Sequence, residues 1–197
     1  MSNKKLVLLL NTNQDYIRHI EESEVKKFAP ELSGLFYAVT NTYLPLLSMF
    51  ERLENDGVPY KLQMVMPPIL CTLLEDPVVQ AQYVDYLDRL IELGEKEKKR
   101  VSKEPALLEN ALKTLDDAKK ARADFKDKYA MRLVPQFAEH QKSGHLELMA
   151  TTGSSAFLPF YTDIPEIINA QVEAGLLAHK NFFGEIPDGF WLPGLGY

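Results

Sequence analysis

A continuous apolar run, Leu6-Val7-Leu8-Leu9-Leu10, stands near the start of the sequence and ends at the polar residue Asn11. Its apolar residues follow one another without polar alternation. Such a run is typical of a strand that is buried on both faces, as strands are in a parallel sheet. The run therefore predicts the first strand of a buried parallel sheet.

Three more strands follow at intervals that leave room for helices between them. Alternation of apolar and polar residues predicts a second strand at 60–66, and we expect two others at 145–151 and 190–192. Asp76 precedes Pro77 and is predicted to cap a helix that begins there. A second helix is predicted to begin at Ile164 and to end at Gly184.

The segment after Pro30 has helical spacing of its apolar residues, but it contains Pro45. Proline inside a helix removes a hydrogen bond and clashes with the preceding turn. We therefore expect two helices here, with Thr42 as the cap of the second and Pro45 in its first turn.

The order of strands and helices predicts an α/β fold with a parallel sheet. The charge-rich stretch 95–129 has apolar residues three and four apart, which is typical of an exposed helical hairpin. We expect a single domain over residues 1–197, with a helical insertion at about 76–142. The last predicted strand is not followed by a covering helix, so the sequence predicts an incomplete barrel.

Charge and composition disfavour several classes of function. The formal net charge is −6, whereas nucleic acids and anionic membranes attract basic surfaces. The sequence has no apolar stretch of membrane-spanning length, and the run 6–10 is too short for a signal-peptide core. Cys71 is the single cysteine, so no intrachain disulfide forms. We expect a cytoplasmic protein that binds neither nucleic acid nor membrane.

Motifs just after the predicted strands resemble those of one enzyme family. They run collinearly from the loop 10–19, through Ala38-Val39-Thr40-Asn41-Thr42-Tyr43-Leu44-Pro45, to Gly189-Phe190-Trp191-Leu192-Pro193-Gly194. The segments 144–148 and 154–159 belong to the same series. Together they resemble glycoside hydrolase family 57, in the type of α-glucan branching enzymes and α-amylases, and they match its N-terminal part.

This resemblance implies part of a (β/α)7 barrel whose ligands bind at the carboxyl ends of the strands. It also implies retaining chemistry, which needs two carboxyl groups about 5 Å apart. Gly194 occupies the position of the family's nucleophilic glutamate, and the acid/base aspartate of the family lies beyond the matched region. Asn11, Asn13 and Ser155 occupy positions at which the family has histidine. The resemblance therefore implies a chain without catalytic residues of its own.

Sugar binding is compatible with the side chains that remain, because amides and hydroxyls hydrogen-bond to sugar hydroxyls. Trp191 is either a stacking platform for a sugar ring or a core residue. The expected ligand is an α-glucan or maltooligosaccharide. We expect no cofactor and no metal site, because His140 and His145 do not have the spacing of a known metal motif. The candidate binding residues are Asn11, Asn13, Tyr16, Arg18, His19, Ser155 and Trp191.

Three interpretations stay open at the level of sequence. The chain is a non-catalytic module of this family, part of a split or truncated glucan-processing enzyme that another polypeptide completes, or an interaction protein. In the last two cases the open sheet edge would pair with a complementing chain or with a second copy in a homo-oligomer.

Overall fold

Four parallel strands form one sheet in the computed structural model, which describes residues 6–17 and 30–196. The candidate residues Arg18 and His19 lie outside this described part. The strands are aligned in chain order, and all three pairings are parallel. The predicted α/β class with a parallel sheet is thereby confirmed. The strands are β1 (Leu9–Asn11), β2 (Leu62–Val65), β3 (Leu146–Thr151) and β4 (Phe190–Trp191).

Helices separate the strands along the chain. Two π-helical turns, Val39–Tyr43 and Asp124–Lys128, adjoin α-helices, and a short 3-10 turn, Pro193–Leu195, follows β4. Among the described helices, none is long and apolar enough to cross a membrane. The α-helices are α1 (Ser33–Ala38), α2 (Leu44–Asn55), α3 (Pro68–Glu75), α4 (Pro77–Arg100), α5 (Pro105–Ala123), α6 (Val134–Lys142) and α7 (Pro165–Phe183).

One compact unit contains the sheet and comprises residues 1–16, 50–74 and 134–197. Its helices α6 and α7 pack on β3. Gly175 allows the close approach of α7, because a Cβ atom at this position would lie 1.8 Å from the backbone oxygen of Thr151. The α7 backbone therefore rests directly on the carboxyl end of β3.

The two faces of the sheet differ in burial. On β3, Leu148 and Ala150 are buried beneath the helices, whereas Glu147 on the opposite face is exposed. Gln63 lies beside Glu147 on that second face and donates a hydrogen bond of 2.7 Å to its carboxylate. This polar, partly open face is the one that would look into the interior of a closed barrel.

The other compact unit comprises residues 17–49 and 75–133. Its helices α4 and α5 pack along each other as a hairpin. The predicted cap is confirmed, since the Asp76 carboxylate accepts a hydrogen bond of 2.8 Å from the backbone N–H of Val78. The ring of Tyr83 lies 5.4 Å from that of Phe36 and 4.7 Å from that of Phe125, which anchors α1 to the hairpin.

The prediction that the run 6–10 is a strand buried on both faces is wrong. Strand β1 begins only at Leu9, and the side chains of Leu6, Val7 and Leu8 are 93%, 67% and 54% exposed. The reason is the position of β1 at the edge of the sheet, where one side of the strand has no neighbouring strand among the described residues.

The predicted division of the helix at Pro45 is also wrong. The residues flanking the turn, Ala38 and Leu44, are helical, so α1 and α2 form one continuous rod through the π turn. The backbone N–H of Leu44 bonds to the carbonyl oxygen of Val39, five residues earlier. This wider turn accommodates the ring of Pro45 without breaking the helix, and Thr42 lies within it rather than at a cap.

Helix α3 lies between the second strand and Asp76, where the sequence predicts no helix. Pro68 is in fact the first residue of α3, a position at which no backbone N–H is needed. The expectation of one domain with an insertion at about 76–142 stays a prediction.

Candidate functional site

The candidate residues of the first loop lie at the carboxyl end of β1. Asn11 is the last residue of the strand, and the side chains of Asn11, Asn13 and Tyr16 are all exposed. Between them, Thr12 donates a side-chain hydrogen bond of 2.6 Å to the carbonyl oxygen of Val65. This bond fixes the start of the loop to the end of β2, so the two asparagines are presented to solvent from an anchored backbone.

The segment after β3 places Ser155 at the same edge of the sheet. Gln171 of α7 accepts two hydrogen bonds from Ser154, one from its backbone N–H at 3.0 Å and one from its hydroxyl at 3.1 Å. Ser155 itself is half-buried and has a left-handed backbone with φ of +56°. Thr152 is fully buried, and its hydroxyl has no hydrogen-bond partner within the described part of the chain.

Trp191 ends β4 and is half-buried. Its backbone oxygen accepts a hydrogen bond of 2.9 Å from the Thr151 hydroxyl, which joins the ends of β3 and β4. Its indole Nε1 is buried, and among residues 6–17 and 30–196 it has no hydrogen-bond partner. A buried indole N–H usually finds an acceptor, so this one is unusual for a pure core residue.

Gly194 lies in the 3-10 turn after β4 with φ of +63° and ψ of +16°. A Cβ atom built here would lie 3.0 Å from Cδ2 and 3.2 Å from Cε2 of the Phe157 ring. The following residue, Leu195, is also left-handed, with φ of +55°. The left-handed backbone at Gly194 therefore favours glycine, and the space beside it is occupied by an aromatic ring.

The candidate residues share one edge of the sheet but do not form a tight cluster. The register places Asn11 beside Val65 and Val65 beside Met149, and Trp191 lies beside Thr151 on the same face. Neighbouring strands are about 4.8 Å apart, so about 14 Å separates the ends of β1 and β4. The edge is wide enough to face a ligand of several sugar rings.

The opposite end of the sheet contains an open cavity of about 510 Å³, near Lys61, His145 and Glu185. In parallel α/β sheets ligands bind at the carboxyl ends of the strands, so this cavity is a less favoured site. In residues 6–17 and 30–196 no group of three or more His, Cys, Asp or Glu side chains is placed to hold a metal ion.

The sequence did not predict that the Phe157 ring packs against the turn after β4 at this edge. Phe157 also lies against Gly196, where a Cβ atom would approach its ring to 2.5 Å. Phe157 belongs to the motif segment 154–159, but no local sequence pattern shows that its ring fills the space beside the two glycines. That arrangement depends on the tertiary contact between the loops after β3 and β4.

Comparison with known proteins gives the family. The sequence pattern of glycosyl hydrolase family 57 matches residues 7–197 of the chain. The chain belongs to glycosyl hydrolase family 57. It is 26% identical over 196 residues to a 1,4-α-glucan branching enzyme of Thermococcus kodakarensis, an alignment that covers 98% of this chain and 27% of that enzyme.

Two solved enzyme structures resemble the fold over nearly its whole length. The α-amylase AmyC of Thermotoga maritima superimposes with a TM-score of 0.88 and 31% identity, over 97% of this chain and 35% of the amylase. A branching enzyme of Pyrococcus horikoshii gives 0.83 and 25%, over 95% of this chain and 34% of the enzyme. The chain thus spans about a quarter to a third of these relatives, and its sheet is part of the family 57 barrel.

Proposed function

We propose that this chain is a family 57 module that binds α-glucan at the carboxyl edge of its sheet without cleaving it. Gly194 carries the proposal, because glycine has no carboxylate with which to attack an anomeric carbon. Loss of a nucleophile can lower turnover by on the order of a millionfold, and binding groups do not compensate for it.

The geometry around Gly194 supports a site that has moved away from catalysis. A glutamate at this position would have to adopt a left-handed backbone, which costs non-glycine residues roughly 1–2 kcal/mol. Its Cβ atom would also press on the Phe157 ring. The left-handed turn and the Phe157 ring therefore both favour glycine over glutamate at position 194.

Glucan binding is supported by the side chains exposed along the same edge. Asn11 and Asn13 present amide groups that can both donate and accept hydrogen bonds, as sugar hydroxyls do. Trp191, at the far end of the edge, offers an aromatic surface. A neutral ligand also suits a protein of net charge −6.

An activity assay tests the catalytic half of this proposal. The purified chain is incubated with amylose, and new reducing ends and new branch points are measured. We expect neither above the rate in buffer, and we expect none from Gly194→Glu, because the second carboxylate of a retaining mechanism is still missing. Turnover that scales with the concentration of the unaltered chain would overturn the proposal.

A fluorescence titration tests the binding half. Trp191 is the single tryptophan, so the emission of the protein reports on the end of β4. We expect maltohexaose to change this emission saturably, and Asn13→Ala to weaken the effect. Asn181→Ala, at an exposed position near the end of α7, is the matched control and should leave it unchanged. An emission that does not respond to maltohexaose would leave the module without its proposed ligand.

The edge strand β1 favours a second candidate function, in which another chain pairs with the sheet. The apolar side chains of Leu6, Val7 and Leu8 are mostly exposed beside this edge, and exposed apolar residues at an edge strand are typical of a site where another strand pairs. The partner would be a complementing chain or a second copy. Sedimentation at several concentrations tests self-pairing, and Val7→Lys should abolish any dimer that forms through β1.

The proposed location is the cytoplasm. Cys71, the single cysteine of the sequence, is buried and cannot form an intrachain disulfide, which is ordinary for a protein of a reducing compartment.

A further inference from the structure

A groove in the helical unit, separate from the sheet, has the features of a small-molecule site. It lies between the π turn Val39–Tyr43 with its preceding helix and the hairpin of α4 and α5, and its volume is about 650 Å³. That volume is within the usual range for ligand sites. Gly94, Ala111 and Ala118 contribute small side chains to its lining, which leaves the space open.

Gly94 allows the two helices of the hairpin beneath the groove to pack closely. A Cβ atom at Gly94 would lie 2.9 Å from the side chain of Leu115, so glycine permits the near contact of α4 and α5. Leu115 is itself buried. The groove is therefore formed by packed helices, which hold its shape before any ligand binds.

Two tyrosines provide an aromatic surface in the groove. Tyr37 is 65% exposed, although it stands on a helix whose neighbour Phe36 is fully buried. Burial, together with the neighbouring hydroxyl of Tyr37, raises the pKa of Tyr86 above its ordinary value. The ring of Tyr86 lies 5.4 Å from that of Phe36, so it is supported by the aromatic core of this unit.

Neutral hydrogen-bonding groups stand beside the aromatic surface. The Asn41 amide nitrogen donates a hydrogen bond of 3.0 Å to the Tyr37 carbonyl, and Asn41 is exposed, so its amide can accept a hydrogen bond from a ligand. Asn110 and Thr114 are exposed one turn apart on α5, and the Thr114 hydroxyl donates to the Asn110 carbonyl at 3.0 Å. Amides and hydroxyls next to an aromatic ring match a ligand with both apolar ring faces and hydroxyl groups.

We propose that this groove is a second binding site, specific for a neutral oligosaccharide, that works independently of the carboxyl edge of the sheet. Its lining contains no Lys, Arg or His, and its charged members are the acidic residues Glu97 and Asp117. The Glu97 carboxylate accepts hydrogen bonds of 2.8 and 2.7 Å from the Arg100 guanidinium. The Asp117 carboxylate therefore carries the repulsion of phosphates and carboxylates, and it can accept a hydrogen bond from a sugar hydroxyl. The lining presents more apolar than polar surface, which suits the ring faces of a sugar, and its amides and hydroxyls suit the hydroxyl groups.

Nuclear magnetic resonance separates this site from the one at the sheet edge. Maltohexaose is titrated into the 197-residue chain while the side-chain amide signals of Asn41 and Asn110 and the indole signal of Trp191 are followed. We expect saturable shifts at both asparagines. Tyr37→Ala should weaken the binding measured at these two amides about tenfold, because the stacking surface is lost.

Tyr37 is exposed, so its replacement should not unfold the helical unit. Leu177→Ala is the matched control, since Leu177 is a 61% exposed apolar residue of α7 far from the groove in sequence, and it should change nothing. Unshifted asparagine amides, or shifts that persist unaltered in Tyr37→Ala, would overturn the groove proposal. A response of Trp191 alone would do the same and would leave glucan binding at the sheet edge intact.

Discussion

The two ends of the parallel sheet differ in how their polar groups are satisfied. At the amino end, Glu54 Oε1 lies 2.7 Å from His140 Nδ1 and accepts a hydrogen bond of 3.2 Å from the Tyr60 hydroxyl. The ring of His145 stacks on Tyr60 at 4.6 Å. Each of these polar groups has a partner, and the network joins the end of α2 to α6 and to the starts of β2 and β3. The exception at this end is Gln141, whose buried Oε1 has no hydrogen-bond partner among the described residues.

At the carboxyl end, the backbone is strained and two polar groups lack partners. Ser155 and Leu195 are non-glycine residues with left-handed backbones. The Thr152 hydroxyl and the Trp191 indole N–H are buried without a hydrogen bond in the described residues. In barrels of this kind the carboxyl end holds the ligand and the amino end contributes stability. We propose that the chain retains that division, although Gly194 has no side chain that could act as a nucleophile.

Gly175→Ala should give the largest effect, because it acts on the contact that holds the carboxyl end of β3. The new methyl group would lie 1.8 Å from the Thr151 carbonyl oxygen, so α7 must move away from the sheet. We expect a loss of roughly 3 kcal/mol in the free energy of unfolding, measured with urea.

Gly34→Ala is the control for this change. Gly34 is an exposed helical residue, and a Cβ atom there would meet nothing within 4 Å. The same substitution should therefore stabilise the protein by about 0.5–1 kcal/mol. Equal effects of the two substitutions would show that α7 does not rest on β3 as closely as the structure indicates.

The sequence predicted those features that depend on neighbouring residues in the chain. Strands β3 and β4, the cap at Asp76 and the end of α7 before Gly184 all follow from local patterns, and all are confirmed. The exposure of Leu6 could not be predicted, because a central strand and an edge strand can have the same apolar sequence pattern. Edge position depends on which strands pair.

The candidate site divides in the same way. The position of Gly194 just after a strand followed from the sequence, and the structure places it there. Its left-handed backbone and its contact with Phe157 did not, because they depend on packing between segments almost forty residues apart. The π turn before Pro45 was missed for a related reason, since helical spacing alone does not reveal which hydrogen bond a wider turn forms.

Glu54→Ala tests the amino end and should have the second largest effect. It leaves His140, which is buried, without its partner, and we expect a loss of roughly 2 kcal/mol in the free energy of unfolding. Glu139→Ala removes an exposed pair with Lys142 on the same helix, α6, and should cost less than about 0.5 kcal/mol. Similar losses in both variants would mean that the network at the amino end adds no stability.

Low pH should also reduce the stability that the Glu54 network gives to the amino end of the sheet. Burial alone would raise the pKa of Glu54, but the hydrogen bonds from His140 and Tyr60 lower this pKa below its ordinary value. The stabilisation is therefore complete above the ordinary pKa of a glutamate and is lost as the pH falls below it. In Glu54→Ala this part of the acid sensitivity should disappear.

His179 should produce a separate pH effect of intermediate size. Burial disfavours its charged form and lowers its pKa to about 4, against an opposing influence of Glu185. The unfolded chain takes up a proton at this side chain near pH 6.5, so stability is full above that pH and falls as the pH drops towards 4. Between pH 7.5 and 5 we expect a loss of roughly 1–2 kcal/mol from this group.

Urea unfolding of His179→Leu at the two pH values measures this contribution. The loss between pH 7.5 and 5 should be smaller in the variant than in the parent chain. An identical loss in both proteins would show that His179 is charged in the folded state. Its buried Nε2, which has no partner among the described residues, would then need an acceptor that the structure does not contain.

Leu195→Gly should give the smallest effect and tests the strain at the carboxyl end. Leu195 is left-handed and 66% exposed, so glycine relieves the backbone and removes little packing. The relief is partly offset by the greater freedom of glycine in the unfolded chain, and we expect a net gain below about 1 kcal/mol. Leu177→Gly is the matched control, because it makes the same change at a similarly exposed but helical position and should cost about 1 kcal/mol. If the free energy of unfolding rises in Leu195→Gly and falls in Leu177→Gly, the backbone strain lies in the turn beside Gly194. If it falls in both variants, the carboxyl end is not strained at Leu195.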